Sequence, residues 1–526
     1  MKGKNNDSRD YRGKGKKGSY RGPKRPQAQQ QEVVPPCSDP TKMNDIAWYA
    51  KNPTLLEAVG KISFPYRAGM AIPLSRTAIT APGGNPTYHI PGTMSLSWVP
   101  FVGGEGDPSA PANIAGREIF NRVRAAFSGS LDADAPDFMM YFMALDSIFS
   151  YIGSLKRVFR IIANYHPDNM NLPVGLLNSM GITTEYYQNL SRDRMQLYSA
   201  INELVHMTDK FMCPAVFPVF ERHYWLNDNV YADADNMNAQ FYVFNQTKYL
   251  KFAMLDAEGA SSVKAGGLTY VDRPNWSTIS GLYNFGVQLI NALSAWDDAF
   301  IISGYLRRAF EGEANFKLDE IMYNDRFTPV YVPEVLAQIE NSFSDLAGSS
   351  SYSFTSITQN VANNTVKTNY TCSFNPGVDQ GYVKPYLNIR SEAPSITEVT
   401  EATRLQTFVA SNNDLICGTE AVLGYNIYTT DSEQTIAVFD QTLVIDCTDD
   451  GQIMAYKAWL DMKTWSIVSG FDWHPFAFLI RYQDMVGVEE VTPYGDVHNF
   501  TTFDMEVARQ LNRVCMFSEF NAFGIS

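Results

Sequence analysis

Residues 138–162 read FMMYFMALDSIFSYIGSLKRVFRII. Within this run Phe138, Phe142, Leu145, Phe149, Ile152, Leu155, Phe159 and Ile162 recur at steps of three and four, the spacing that places apolar side chains along one face of an α-helix. The apolar character from Phe138 to Leu155 is strong enough to suggest a membrane span, but Asp146 sits in its middle and Gly153 near its end. A charge at a bilayer centre is costly, so the run predicts a buried core helix. Asp137 precedes it and is expected to cap it, because a carboxylate there meets unpaired amide donors and the positive end of the helix dipole.

Working outward, helical periodicity begins near Gly116, and a second apolar face runs through Leu190, Arg194, Leu197, Ile201, Leu204, Thr208 and Phe211. Arg194 and Thr208 interrupt that face, which favours a core helix over a coiled-coil seam. Further helices are predicted at 278–310, 331–347, 453–469 and 503–517. Residues 60–116 are dense in Pro and Gly, among them Pro65, Pro73, Pro82, Gly83, Gly84, Pro86 and Pro91, so this segment should be extended. From 349 to 450 the composition shifts toward Ser, Thr, Asn and β-branched residues. Residues 435–439 and 442–445 look like strands, and Asn363, Asn364, Asn412 and Asn413 like turns. The expected fold is therefore mainly α: a helical region at 44–348, a β-rich insertion at 349–450, and a helical return at 451–526 that packs on the first part.

The first 36 residues differ from everything after them. They are rich in Lys, Arg, Gly and Gln, with almost no aliphatic side chain, so they cannot bury enough apolar surface to fold alone. Between Met1 and Arg25 stand Lys2, Lys4, Arg9, Arg12, Lys14, Lys16, Lys17, Arg21, Lys24 and Arg25 against Asp7 and Asp10, a net charge of +8, whereas the whole chain of 526 residues carries −14. The remainder is therefore −22. Residues 1–43 read as a disordered basic arm and a stiff junction at Val33-Val34-Pro35-Pro36. These ten cations are the candidate nucleic-acid contacts, binding phosphates without regard to base sequence. Interspersed glycines keep the arm flexible, and Tyr11 and Tyr20 can stack on unpaired bases. A solubilising or nuclear-targeting tail is the competing reading of the same residues.

No chemistry-bearing motif accompanies the arm. The chain has no GxxxxGK[ST], HExxH or GxSxG, so the expectation is a protein that is not an enzyme and uses no cofactor or small-molecule substrate. Cys37, Cys213, Cys372, Cys417, Cys447 and Cys515 are dispersed, and the six histidines form no i, i+4 pair. Neither a zinc site nor a disulfide framework is expected. Met1 leads into charges rather than an apolar run, which predicts a soluble intracellular protein whose Asn-x-Ser/Thr sites, among them Asn189, Asn245, Asn275, Asn363, Asn369 and Asn499, stay bare. A hydrolase built from dispersed residues would need a pocket joining His206 or His223 to an acidic partner. An RNA-binding protein acting as a monomer or small oligomer is a further alternative.

Just after the arm stands Asn44-Asp45-Ile46-Ala47-Trp48-Tyr49-Ala50-Lys51-Asn52-Pro53, followed by Ile62-Ser63-Phe64-Pro65. This NDxxWYxKNP stretch resembles the start of the folded region in picobirnavirus capsid proteins, as do the chain length and the basic, Gly-rich leader. The resemblance implies a coat protein of a small icosahedral particle enclosing segmented double-stranded RNA, with a mainly helical shell domain, a projecting domain, and dimers that exchange chain segments. The implied partners are other copies of the chain and genomic RNA. The implied location is the virion, and the host or infected-cell cytoplasm before assembly. In those terms 349–450 is the candidate projecting domain, the arm the RNA-packaging element, and Trp48 and Tyr49 candidate subunit contacts.

Overall fold

The computed structural model describes residues 51–60, 71–73, 87–89, 92–164, 172–234, 239–346, 352–373, 385–428, 435–439, 443–447, 453–455, 470–475, 478–484, 487–493 and 498–521. The helices among them are α1 (Pro53–Gly60), α2 (Pro111–Ala126), α3 (Ala135–Ile162), α4 (Leu172–Ser179), α5 (Thr184–Arg192) and α6 (Arg194–Thr208). Then follow α7 (Pro218–Asp228), α8 (Ile279–Ser294), α9 (Asp297–Ala309), α10 (Pro333–Glu340), α11 (Ile396–Ala402) and α12 (Met505–Glu519). The strands begin with β1 (Ala71–Pro73), β2 (Thr87–His89), β3 (Thr93–Pro100), β4 (Tyr231–Ala232), β5 (Phe241–Gln246), β6 (Lys248–Asp256) and β7 (Lys264–Asp272). They continue as β8 (Phe343–Ser344), β9 (Tyr352–Asn360), β10 (Thr365–Cys372), β11 (Tyr386–Ile389), β12 (Gln406–Ser411), β13 (Asp414–Ile416) and β14 (Glu420–Tyr428). The last are β15 (Thr435–Phe439), β16 (Leu443–Cys447), β17 (Ile453–Ala455), β18 (Phe478–Asp484), β19 (Gly487–Pro493) and β20 (Asn499–Thr502).

The chain forms two units, Met1–Phe64 and Pro65–Ser526. Of the first, α1 is described. Asn52 caps it, its side-chain oxygen accepting from the amides of Thr54 at 3.1 Å and Leu55 at 3.2 Å, with Pro53 at the first helical position. The Asn-Pro that closes the NDxxWYxKNP stretch is thus a helix start, since proline lacks the amide that a first turn leaves unpaired anyway.

In the second unit α3 is the axis of the largest core. It is buried on nearly every face along its 28 residues, which explains why it has the length and hydropathy of a membrane span while being enclosed by protein. Phe142 and Phe149 pack on Phe217 and Phe220 from the α7 side. Tyr151 packs edge-on against Tyr249 of β6 and Phe285 of α8. The helix starts one turn earlier than the sequence indicates: Ala135 is its first residue and Asp134 its N-cap. Asp137 is therefore the third helical residue, its carboxylate reaching back to accept from the Asp134 amide at 2.9 Å, as in a capping box.

The expectation of a mainly helical shell is wrong. A five-stranded mixed sheet of order β15-β14-β3-β5-β4 and an antiparallel four-stranded sheet of order β10-β9-β7-β6 run through the same unit as the helices, and both draw on strands from 44–348. The architecture is mixed α and β. The β-rich segment is woven into it: β14 pairs antiparallel with β3 from Thr93 to Pro100, and β9 pairs with β7. β9, β10, β14 and β15 extend sheets begun earlier in the chain, and in the five-stranded one β14 lies beside β3, which pairs parallel with β5.

Other expected elements are refined. The long face from Leu190 to Phe211 is two helices, α5 and α6, parted at Asp193, and 278–310 is α8 and α9, parted at Ala295–Trp296. The predicted helix at 331–347 shortens to α10, and that at 503–517 is α12. The predicted helix at 453–469 opens instead as strand β17, and its remainder lies outside the described residues. β15 and β16 fall where strands are expected. Asn364 and Asn413 occupy left-handed turns with φ of 53° and 58°, a conformation asparagine tolerates better than most residues.

Candidate functional site

Lys2, Lys4, Arg9, Arg12, Lys14, Lys16, Lys17, Arg21, Lys24, Arg25, Trp48 and Tyr49 lie outside the described residues. Within the described core, the densest chemistry is a buried ionic cluster that no local motif announces. Asp146 is presented by the middle of α3, Arg222 and His223 by α7, Glu420 by the first residue of β14, Glu519 by the last turn of α12, and Arg404 by the turn after α11. Asp146, His223 and Glu420 have no exposed surface and Glu519 is 1% exposed.

The geometry is continuous. His223 Nδ1 lies 2.7 Å from Asp146 Oδ2, and its Nε2 lies 3.6 Å from Glu420 Oε1. The Arg222 Nε donates to Glu420 and stands 3.4 Å from Glu519 Oε1, which Arg404 Nε also meets at 3.1 Å. Arg222 Nη1 donates to the Gln338 side chain of α10 at 3.0 Å. The Thr419 hydroxyl sits within hydrogen-bond distance of both Glu420 and Glu519. Trp98 of β3 leans on the imidazole, with ring centroids 4.9 Å apart.

Burial opposes every charge here, and the neighbours decide which survive. Burial alone would lower the His223 pKa, but the Asp146 and Glu420 carboxylates outweigh it and hold it above its ordinary value. Burial raises Asp146 and Glu519, the latter pushed further by Glu420. Glu420 ends below its ordinary value, because Arg222 and His223 overcome its desolvation. The arrangement ties α3, α7, β14 and α12 together through charge-assisted hydrogen bonds.

Both histidines singled out in the sequence do have acidic partners. His206 is exposed, between Asp209 at 3.7 Å and Glu320 at 3.1 Å. His223 is fully enclosed, with each ring nitrogen facing a carboxylate, Asp146 on one side and Glu420 on the other.

A second polar core lies about three turns further along α3. Arg157, 2% exposed, donates from Nη1 to the carbonyls of Leu226 at 3.1 Å and Asn229 at 3.2 Å, and from Nη2 to that of Phe244 at 2.9 Å. Its neighbour Lys156 donates to the Asp319 carbonyl and to the Tyr224 hydroxyl, and burial pushes its pKa down to about 8. Sequence reading missed both groups. The signal that was present is a charged pair inside an otherwise apolar helix. The thiols of Cys213, Cys372, Cys417 and Cys515 are free and buried.

These features describe a folded body held by long-range polar ties, and the comparisons with known proteins agree on what that body is. Residues 48–443 match the family described as Picobirnavirus, Capsid protein. A protein named "Capsid protein precursor", from Human picobirnavirus (strain Human/Thailand/Hy005102/-), is 25% identical over 557 residues, spanning 98% of this chain and 96% of that one. The X-ray crystallographic structure of the picobirnavirus capsid matches with a TM-score of 0.72 at 19% identity, over 90% of this chain and 98% of that one. The last likeness shows a shared fold, and the family match spans well over half the chain. The chain therefore belongs to the picobirnavirus capsid protein family and is a viral capsid protein.

Proposed function

We propose that this capsid protein builds a small icosahedral shell from dimers and packages double-stranded genomic RNA through residues 1–36, with the ten Lys and Arg between Lys2 and Arg25 as the phosphate contacts. The observation that carries this reading is the division of charge, +8 on residues 1–25 against −22 on the remainder. Clustered cations grip a polyanion without reading its sequence, while an acidic body resists coating by it. If about eight of the ten cations meet phosphates, the logarithm of affinity should fall with that of salt concentration at a slope of roughly −6 to −7. Before assembly the subunit resides in the cytoplasm of the infected cell.

Deleting residues 1–36 is the test. Closed shells are expected to form with much less RNA, read from the ratio of absorbance at 260 and 280 nm of purified particles. Undiminished RNA would refute the arm's role. Trp48 and Tyr49 are proposed to fasten the arm's base to a neighbouring subunit. On that reading Trp48→Ala leaves a folded subunit but lowers the yield of assembled particles by size-exclusion chromatography. Equal yields at equal subunit concentration would refute the contact.

A further inference from the structure

The buried cluster is one positive charge short. Asp146, Glu420 and Glu519 supply three carboxylates, while Arg222 and Arg404 supply two guanidiniums, leaving His223 as the sixth member. The other titratable groups facing it are Cys213, near Asp146, Cys417, near Glu420, Cys515 of α12, near Glu519, and Tyr231, near Arg222. Burial raises all four, Cys515 to about 11, so they stay neutral. An unbalanced charge enclosed this completely is strongly unfavourable. A single added proton, shared along the 2.7 Å hydrogen bond between His223 and Asp146, removes the imbalance.

The elements joined here are not equally secured. α3 is enclosed on nearly every face, whereas α12 exposes Val507 and Val514. Its other polar ties among the described residues include Arg509 to Asp414 at 2.9 Å and Arg513 to the Ser109 hydroxyl at 2.9 Å, both at its periphery, and the Cys515 thiol to the Thr400 carbonyl at 3.3 Å. Glu519, bridging Arg222 and Arg404, is its deepest anchor. When the cluster is unbalanced, the least buried member opens first.

We propose that the cluster is a proton-operated latch on α12: one proton held by the His223–Asp146 pair keeps the C-terminal helix docked, and losing it at alkaline pH frees that helix before the rest of the core opens. The direction follows from linkage. His223, Asp146 and Glu519 all have folded-state pKa values above their ordinary ones, so their contribution is complete below the unfolded values and is lost as pH rises through the folded ones. For His223 that loss begins above its ordinary value of 6.5. Glu420 is shifted down, so its contribution is lost only as pH falls, at the acid end.

Hydrogen exchange of the full chain, followed by mass spectrometry from pH 6 to 10 and corrected for intrinsic rates, tests the latch. Protection of residues 505–519 should drop about tenfold per pH unit above the transition, the slope of one proton, while that of 138–162 holds. Glu519→Gln removes the excess negative charge and should flatten the α12 profile. Asp146→Asn should do the same and serves if the first variant fails to fold. His223→Gln removes the proton's carrier and should leave α12 poorly protected already at pH 6. A flat native profile, or an undiminished slope in the folded carboxamide variant, overturns the proposal.

Discussion

Arg222→Met is expected to destabilise the folded chain by about 3–5 kcal/mol, the usual penalty for removing one partner from an enclosed ionic group. The guanidinium has to serve two carboxylates, Glu420 and Glu519, each 1% exposed or less at the side chain. It also donates to Gln338. Methionine fills much of the same space, so lost packing is small and the loss measured is electrostatic. Without Arg222, Glu519 retains Arg404, while Glu420 retains the Thr419 hydroxyl and the more distant His223 nitrogen at 3.6 Å. Equilibrium denaturation of the purified chain reads the effect. Arg222→Lys should recover part of it, since an ammonium keeps the charge but cannot present a planar fork to two acceptors. Combining Arg222→Met with Glu420→Gln should lose less than the two single variants summed, because the residues share one network. A denaturation midpoint for Arg222→Met equal to the native one would show that the cluster contributes nothing.

That network shows what a linear reading can and cannot reach. Asp146 is conspicuous in the sequence as a charge in an apolar run, and this alone argues against a membrane span. Its partner cannot be inferred from the run, because His223 lies 77 residues away and neither residue sits in a spacing that carries metal or catalytic chemistry. α3 itself is legible because a period of three to four sustained over seven turns outweighs local noise. The strands of 44–348 are not. β3, TMSLSWVP, and β5, FYVFNQ, are buried on both faces, so no polar alternation marks them, and runs this short read equally well as pieces of helix. β6 and β7 are longer, but Gly266 and Gly267 interrupt the pattern. Gly267 is where a β-carbon would press on Leu255 and on the Ile357 carbonyl of the neighbouring strand. The expectation of a mainly helical framework follows from this asymmetry: long helices announce themselves, while short enclosed strands depend on partners far along the chain. The arm at 1–36 is read on a different ground, its composition, and lies outside the described residues.

Arg157→Met is expected to cost about 3–5 kcal/mol by a different route, since each buried polar group left without a partner forfeits roughly 1–3 kcal/mol. Burial pushes the Arg157 pKa down to about 10, so the side chain is still a cation at neutral pH, and its hydrogen bonds run to backbone carbonyls. Two of these, from Leu226 and Asn229, lie at the C-terminal end of α7, where carbonyls lack helical partners and the dipole is negative. The third, from Phe244, belongs to β5 in the five-stranded sheet. One side chain from α3 thus satisfies the end of a helix and the middle of a strand, and fixes where α7 stops relative to the sheet. Arg157→Lys should recover only a fraction, because a single ammonium cannot reach three carbonyls set apart by the fork of a guanidinium. The two arginines then separate by their dependence on pH. Arg222 faces groups that titrate, so the loss on its removal should change as the carboxylates and His223 change charge. Arg157 faces carbonyls that do not titrate, so its loss should stay constant between pH 6 and 9 in denaturation experiments. A pH-dependent loss at Arg157 would mean that it compensates a carboxylate, such as Asp228, rather than serving the backbone.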